Sequence, residues 1–290
     1  MTDAPAWFTE ALAVTTAVGT VEVAGARIAY RTWGTIGDDP HDVLLVHGGA
    51  AHSRWWDFIA PQLAAGRRVV AVDLSGHGDS GRRPAYSVEQ WIDELDAVID
   101  AAQLRPRPVV AGHSLGGMIA SALAGRTTPE LGGLIVVDSP IEPSGPWPRT
   151  EADATFSTPR VYRSLADGVA RFRPVPPQHS LPYTAAHIAA ASLREVAGGW
   201  SWKFDPAFVA MTGDLPHTLD GLACPAVYVA GEHGILSPQG RAALDASTEV
   251  RVIEIPDAGH AMMLDQPVAL TQVLQDALAW FAVVETARTV

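Results

Sequence analysis

A chain of 290 residues, 48% hydrophobic and 18% charged, can bury a large α/β core and lacks the composition of a disordered tail. Its formal charge of −12 argues against nucleic acid or an anionic membrane as partner, since either would demand a basic face. Cys224 is the only cysteine, which leaves no internal disulfide and no cysteine metal cluster. Met1 to Glu10 lacks a basic, then apolar, secretion signal, and no uninterrupted apolar run is long enough to span a bilayer. A cytoplasmic location is expected.

Residues 4–13 suit a short helix. Thr20 to Val23 and Arg27 to Thr32 read as two strands joined by Ala24-Gly25-Ala26, a hairpin at a sheet edge. After the Gly37-Asp38-Asp39-Pro40 breaker, Val43-Leu44-Leu45-Val46 is a continuous apolar run, as in a strand buried on both faces. It ends in His47-Gly48-Gly49-Ala50, and a Trp-rich helix is expected around Trp55 to Leu63. Arg68 to Val72 is the next buried strand and runs into the polar turn Asp73 to Gly81. Val88 to Ala102 has helical periodicity, with Ser87 as N-cap and Glu89 in the first turn. Pro108 to Ala111 leads into Gly112-His113-Ser114-Leu115-Gly116, and Leu131 to Val137 is a further strand closing on Asp138-Ser139-Pro140.

From Ile141 to about Leu222 the alternation breaks into a segment rich in Pro, Trp and Arg, with helical stretches expected near 158–171, 184–196 and 205–212. It resumes with Ala226 to Gly231, a helix near 238–246, the strand Glu249 to Ile255 and a last helix from about Val268 to Val283. Strands alternating with helices imply an α/β fold, a mostly parallel central sheet with helices on both faces. The interruption reads as an inserted helical cap over the C-terminal sheet edge, where such sheets bind ligands. The expected organisation is a core domain of residues 1–140 and 223–290 and a cap of residues 141–222.

Val109 to Ala120 carries the chemistry. An apolar β-branched run, a G-x-S-x-G turn and a run of small and apolar residues form the strand–turn–helix context of a nucleophile elbow. The turn is so tight that positions two before and two after Ser114 must be nearly free of side chain, which Gly112 and Gly116 satisfy. Ser114 is then held out at the sheet edge, with a helix N-terminus behind it.

Four stretches together resemble the α/β-hydrolase superfamily across nearly the whole chain outside the cap. They are His47-Gly48-Gly49, Asp73 to Ser80, Gly112 to Gly117 and Ala258-Gly259-His260, in that order. The resemblance implies Ser114 as nucleophile and His260, after the last strand, as its base. It also implies an oxyanion hole made by the backbone N–H groups of Gly49 and Leu115. The acid departs from the usual pattern. Most relatives carry it in a G-x-x-D turn after the strand matching Ala226 to Ala230, but here Gly231-Glu232-His233-Gly234 puts glycine at that place. Asp138, at the end of the strand that follows the elbow helix, is preferred, with Glu232 as the alternative acid; Asp257 is too near His260 in sequence. A defective triad is the remaining option.

His47 and the turn 73–81 are expected to tie loops together, and His113 to pack behind the elbow. No histidine, including His52, His77, His113 and His233, forms a metal-ligand spacing, so neither metal nor cofactor is expected. The cap should set substrate choice, with Trp55, Trp56, Trp147, Trp200, Trp202, Phe172 and Phe204 as candidates for the pocket wall. Arg171 and Arg173 read as a solvated face. The reading that results is a serine hydrolase acting on a small or medium apolar carboxylic ester or lactone. Its rivals are a cofactor-free dioxygenase or C–C bond hydrolase using His260 as base, and a non-catalytic ligand-binding member of the fold.

Overall fold

The computed structural model of the chain describes residues 4–126, 130–141, 156, 160–215 and 219–288. An eight-stranded sheet runs in the order β1-β2-β4-β3-β5-β6-β10-β11. Its strands are β1 (Ala17–Val23), β2 (Ala26–Trp33), β3 (Val43–Val46), β4 (Val69–Val72), β5 (Val109–His113), β6 (Gly133–Val137), β10 (Ala226–His233) and β11 (Val250–Gly259). The first pair is an antiparallel hairpin, β2 meets β4 antiparallel, and every later pair is parallel. All residues of β3 to β6 are buried. This is why these strands read as unbroken apolar runs: helices cover both faces.

Two layers of apolar residues flank the sheet. On one face, α3 (Val88–Ala101) and α4 (Leu115–Ala124) lay Trp91, Leu95, Ile119 and Leu123 against Leu44, Val70, Val110 and Leu134. On the other, the short helix α2 (Ala60–Leu63) and the long helix α9 (Pro267–Arg288) cover Leu45, Ala71, Ile135 and Val227. Helix α9 buries Leu270, Leu274, Ala277, Leu278 and Phe281, one face at helical spacing. By length and composition alone its stretch Pro267–Ala287 is apolar enough to cross a membrane, with a mean hydropathy of 1.4; the buried face is what that apolarity serves in this fold. Helix α3 starts with a full capping box: Ser87 accepts from the Gln90 N–H, and the Gln90 side chain returns a bond to the Ser87 N–H. Glu94, on the same helix and wholly buried, accepts bonds from the Ser75 N–H and the Arg83 guanidinium, pinning the 73–83 turn.

The expected helix from Trp55 to Leu63 is two pieces, a 3-10 turn at Ser53–Trp56 and then α2. Pro61 sits in the first turn of α2, where its missing N–H costs nothing, and so begins a new helix. Between β6 and β10 the described helices are α5 (Leu165–Val169) and α6 (Pro182–Ala191), with a 3-10 turn at Pro206–Ala210. The helix expected to reach residue 196 stops at Ala191. Beyond it lies a small antiparallel sheet, in the order β7 (Val161–Tyr162), β9 (Gly199–Trp202), β8 (Leu193–Val196). Gly198 and Gly199 both have positive φ and turn the β8–β9 hairpin, which ends a helical reading of this stretch. The inserted segment docks on the polar turn: the Asp205 N–H donates to Gly76 O, Tyr86 OH to Asp205, and Lys203 pairs with Asp79. Trp147 lies outside the described residues, as do 142–155 and part of the first expected cap helix. Helices α7 (Pro238–Ala246) and α8 (Met262–Asp265) complete the core.

Candidate active site

Ser114 stands between β5 and α4 with φ 54 and ψ −122, a conformation that L-residues avoid. The surroundings hold it there. Its N–H donates to Val137 O at 3.0 Å, and its carbonyl accepts from Ser139 Oγ at 2.8 Å. A Cβ on Gly112 would collide with the Gly116 carbonyl, and one on Gly116 with the carbonyls of Val46 and His47. The G-x-S-x-G spacing is thus a steric requirement of strand, turn and helix meeting at one point.

Three side chains form a line. His260 Nε2 lies 3.1 Å from Ser114 Oγ, and His260 Nδ1 lies 2.8 Å from Asp138 Oδ2. Nδ1–H can only donate to a carboxylate, which leaves Nε2 bare to accept the serine proton. Asp138, fully buried at the end of β6, has φ 43 and donates its own N–H to Val229 O. Its carboxylate accepts from the Gly231 N–H at 3.3 Å and the Ile235 N–H at 3.0 Å, so the charge keeps hydrogen-bond partners without water.

The same carboxylate explains the glycine at 234. A Cβ there would overlap Asp138 Oδ1 and lie 2.6 Å from its Cγ. Asp138 fills, from the neighbouring strand, the space an acid in this turn would use. Glu232 points elsewhere: it is exposed and accepts from the Asp257 N–H at 2.9 Å. Glu232, His233 and Asp257 do bring one ligand atom each within 4.8 Å, all three exposed. No sequence spacing announces this trio, because the parallel register that pairs His233 with Gly259 creates it.

Behind the elbow, His113 donates from Nε2 to His260 O at 2.9 Å, and the two ring centroids lie 4.7 Å apart, tilted by 38°. Burial, with the neighbouring His260 adding to it, pushes the His113 imidazole down to about 3, so it stays neutral beside His260. His47 ties the loop Gly48–Gly49 to the next turn: Nδ1–H donates to Gly48 O at 2.7 Å, and Nε2 accepts from the Leu74 N–H at 3.1 Å. Burial also lowers the titration of His47, His52 and His77. In the turn after β4, Asp73 accepts from the N–H groups of Ser53 and Asp79.

Gln178 is a contact that sequence reasoning missed. Its Oε1 accepts from the Ala261 N–H at 2.7 Å, while its Nε2 donates to Ala261 O and to Asp265 Oδ2. Asp265 in turn accepts from the Gly259 N–H at 2.8 Å. The inserted segment therefore grips the two residues that flank His260.

Of the two oxyanion candidates, Leu115 packs its side chain beside Gly49. The Leu115 N–H opens α4, where no intrahelical acceptor exists. A Cβ on Gly49 would meet Phe208 at 3.1 Å and Leu115 at 3.8 Å, so Phe208 of the insertion closes over this loop. Of the aromatic candidates, Trp56 is a correction. It is 0% exposed among Phe58, Ile59 and Leu63, a core side chain that meets no cleft. Trp55 lies 6.2 Å from Phe172, which lies 6.3 Å from Trp202, a bridge from core to insertion. Trp200 is half-buried on β9, and Phe204 packs against Phe156 and Phe208.

The profile described as the alpha/beta hydrolase family matches residues 43–273. The esterase Rv0045c of Mycobacterium tuberculosis is 32% identical over 274 residues, covering 88% of this chain and 87% of that protein. A pimeloyl-[acyl-carrier protein] methyl ester esterase of Sodalis glossinidius is 28% identical and covers 84% of this chain and 96% of its own length. An alpha/beta hydrolase structure from Novosphingobium aromaticivorans superposes with a TM-score of 0.76 at 21% identity, covering 92% of this chain and 99% of that one. The profile match and the Mycobacterium relative show that the chain belongs to the alpha/beta hydrolase family.

Proposed function

We propose that the chain is a serine esterase, cleaving small or medium apolar carboxylic esters or lactones through an acyl-enzyme at Ser114. The observation that carries this reading is the pair of hydrogen bonds, 3.1 Å and 2.8 Å, that run from Ser114 through His260 to Asp138. In this mechanism Ser114 Oγ attacks the ester carbonyl carbon as His260 Nε2 takes its proton. Asp138 holds the imidazole in the right tautomer and stabilises the imidazolium that forms. The N–H groups of Gly49 and Leu115 hold the oxyanion, and His260 then protonates the departing alcohol. A water molecule, deprotonated by the same imidazole, attacks the acyl carbonyl; the tetrahedral species collapses to release the acid and restores Ser114.

The names of the relatives, both esterases, support ester substrates. We assign the cleft wall to Phe208 beside Gly49 and to the line Trp55–Phe172–Trp202. Apolar rings there favour an apolar acyl or alcohol group and exclude bulk water from the acyl-enzyme. The carboxylate of Asp138 beside Gly234 weighs against a non-catalytic member, a reading that leans on the glycine at the usual acid position.

The test is steady-state hydrolysis of aryl esters of graded acyl length by wild type, Ser114→Ala and His260→Ala. Loss of turnover by roughly 10^5-fold or more in Ser114→Ala, with the fold intact, is expected of a nucleophile. Turnover that survives in Ser114→Ala but not in His260→Ala would point to proton abstraction by His260 instead.

A further inference from the structure

Away from Ser114, charged side chains from three parts of the chain meet at a second cavity of about 230 Å3. Arg31 comes from β2, Arg54 and Asp57 from the 3-10 turn and its C-cap, and His187 from α6 of the insertion. None of Ser114, Asp138, His260, Gly49 or Leu115 lines it. Asp57 is 6% exposed, and its two oxygens are fully engaged: Oδ1 accepts from Arg31 Nε at 3.1 Å, Oδ2 from Arg54 Nε at 2.9 Å and from His187 Nε2 at 3.0 Å. Burial works to raise the Asp57 carboxyl, but the bond from His187 and the two guanidinium groups overcome it and hold the group below its usual range.

Each guanidinium spends one N–H on this carboxylate. Among the described residues, the terminal amino groups of Arg31 and Arg54 bond to no other acceptor. Two arginines against one aspartate leave a net positive hollow, in a chain whose overall charge is −12. The rest of the wall includes Leu12, Val14 and Trp33. The hollow is mainly polar, with forked donors on one side; Leu12 and the exposed Val14 border the other, and Trp33 lies beneath the Arg31 guanidinium, 5.6 Å from its ring centroid.

We propose that this cavity binds a small carboxylate, its oxygens on the terminal amino groups of Arg31 and Arg54 and its alkyl end against Leu12 and Val14. Guanidinium groups match the planar oxygens of a carboxylate, and a bound anion completes their hydrogen bonding. At ~30 Å3 per water the space equals about seven or eight waters, which suits an acid of roughly four to eight heavy atoms. Inorganic phosphate satisfies the donors but leaves Leu12 and Val14 uncovered. A bound acid would tie α1 (Ala6–Ala13), the 3-10 turn and the inserted helix α6 together, because all three wall the same hollow. The site stands without the esterase reading; that reading adds only that the ligand belongs to the same class as the product acid.

The test is isothermal titration of wild type, Arg54→Gln and Val14→Trp with acetate, butyrate, hexanoate and inorganic phosphate. Val14 is 44% exposed, so a larger ring there can fill the mouth without entering the core. Arg54→Gln leaves the Arg31–Asp57–His187 bonds in place, and a urea melt of each variant checks that it is folded. One equivalent of butyrate per chain is expected, bound more tightly than phosphate and weakened about tenfold or more in both variants. Butyrate binding that is unchanged in both variants would place it in the ester cleft and overturn the proposal. So would the absence of saturable binding by wild type up to about 50 mM, or phosphate binding as tight as that of every acid.

Discussion

Replacing Gly234 by alanine tests the proposed role of Asp138 without replacing Ser114, Asp138 or His260. The added Cβ would lie 2.6 Å from Asp138 Cγ, where carbon atoms ordinarily rest ~3.5–4.0 Å apart, a shortfall of about 1 Å. The carboxylate cannot retreat freely, because the N–H groups of Gly231 and Ile235 hold it from the same turn. A displacement of about 1 Å stretches the 2.8 Å bond to His260 Nδ1 beyond hydrogen-bond range. Misplacement on that scale costs roughly 10^2-fold in rate, or about 2.7 kcal/mol of barrier. The overpacking itself should lower stability by about 1–3 kcal/mol. The assay is kcat and KM on an aryl ester together with a urea melt; kcat should fall and KM should change little. Glu232→Gln, run in parallel, should stay near wild type. A Gly234→Ala enzyme with undiminished kcat, or a Glu232→Gln enzyme that loses 10^2-fold or more, would refute the assignment of Asp138.

Gln178→Leu removes both bonds to Ala261 and should lower kcat about tenfold with a smaller change in KM; equal effects on both would mean that it contacts substrate instead. Glu94→Ala strands the buried Arg83 guanidinium and should cost about 3–5 kcal/mol in a denaturant melt, with a loss below 1 kcal/mol counting against the pair. His113 takes its proton near 6.5 when unfolded and near 3 when folded, so between those values the unfolded state binds more protons and stability rises with pH. Its contribution is full above pH 6.5 and is lost as pH falls towards 3, at about 1.4 kcal/mol per pH unit, and His47, His52 and His77 act in the same direction. His113→Asn should flatten the dependence of the urea midpoint between pH 7.5 and 5; an unchanged slope would show that His113 already titrates normally in the fold.

Legibility in the sequence followed the range of the interaction. The strands β3 to β6 could be read because burial on both faces forces unbroken apolar runs, and the elbow because its glycines answer a local clash. Ser87 announced α3 because a cap acts over three residues. The preference for Asp138 over Glu232 rests on the family resemblance, which offers a second place for the acid at the end of the strand after the elbow helix. What could not be read depends on partners far apart in sequence. Gln178 meets Ala261 across 83 positions, and Asp57 meets His187 across 130. Trp56 reads as a wall residue since an indole at the start of an expected helix carries no mark of the core cluster it will join. The β8–β9 hairpin was hidden in a similar way: Ala-rich sequence up to Ala191 propagates a helical reading into Leu193 to Val196, and only pairing with Trp200 and Trp202 makes that stretch a strand.

Ser114 and Asp138 have their backbones stitched into the sheet, through Ser114 N–H to Val137 O and Asp138 N–H to Val229 O. Their separation is a lattice spacing of adjoining strands, and it can soften only when the sheet itself comes apart. His260 stands one residue beyond β11, whose last residue, Gly259, still pairs with His233, and His113, Gln178 and Asp265 fasten the residues around it. All three side chains thus start from strand ends of one sheet, so their spacing should persist until the sheet unfolds, and activity and the folded signal should be lost together on heating.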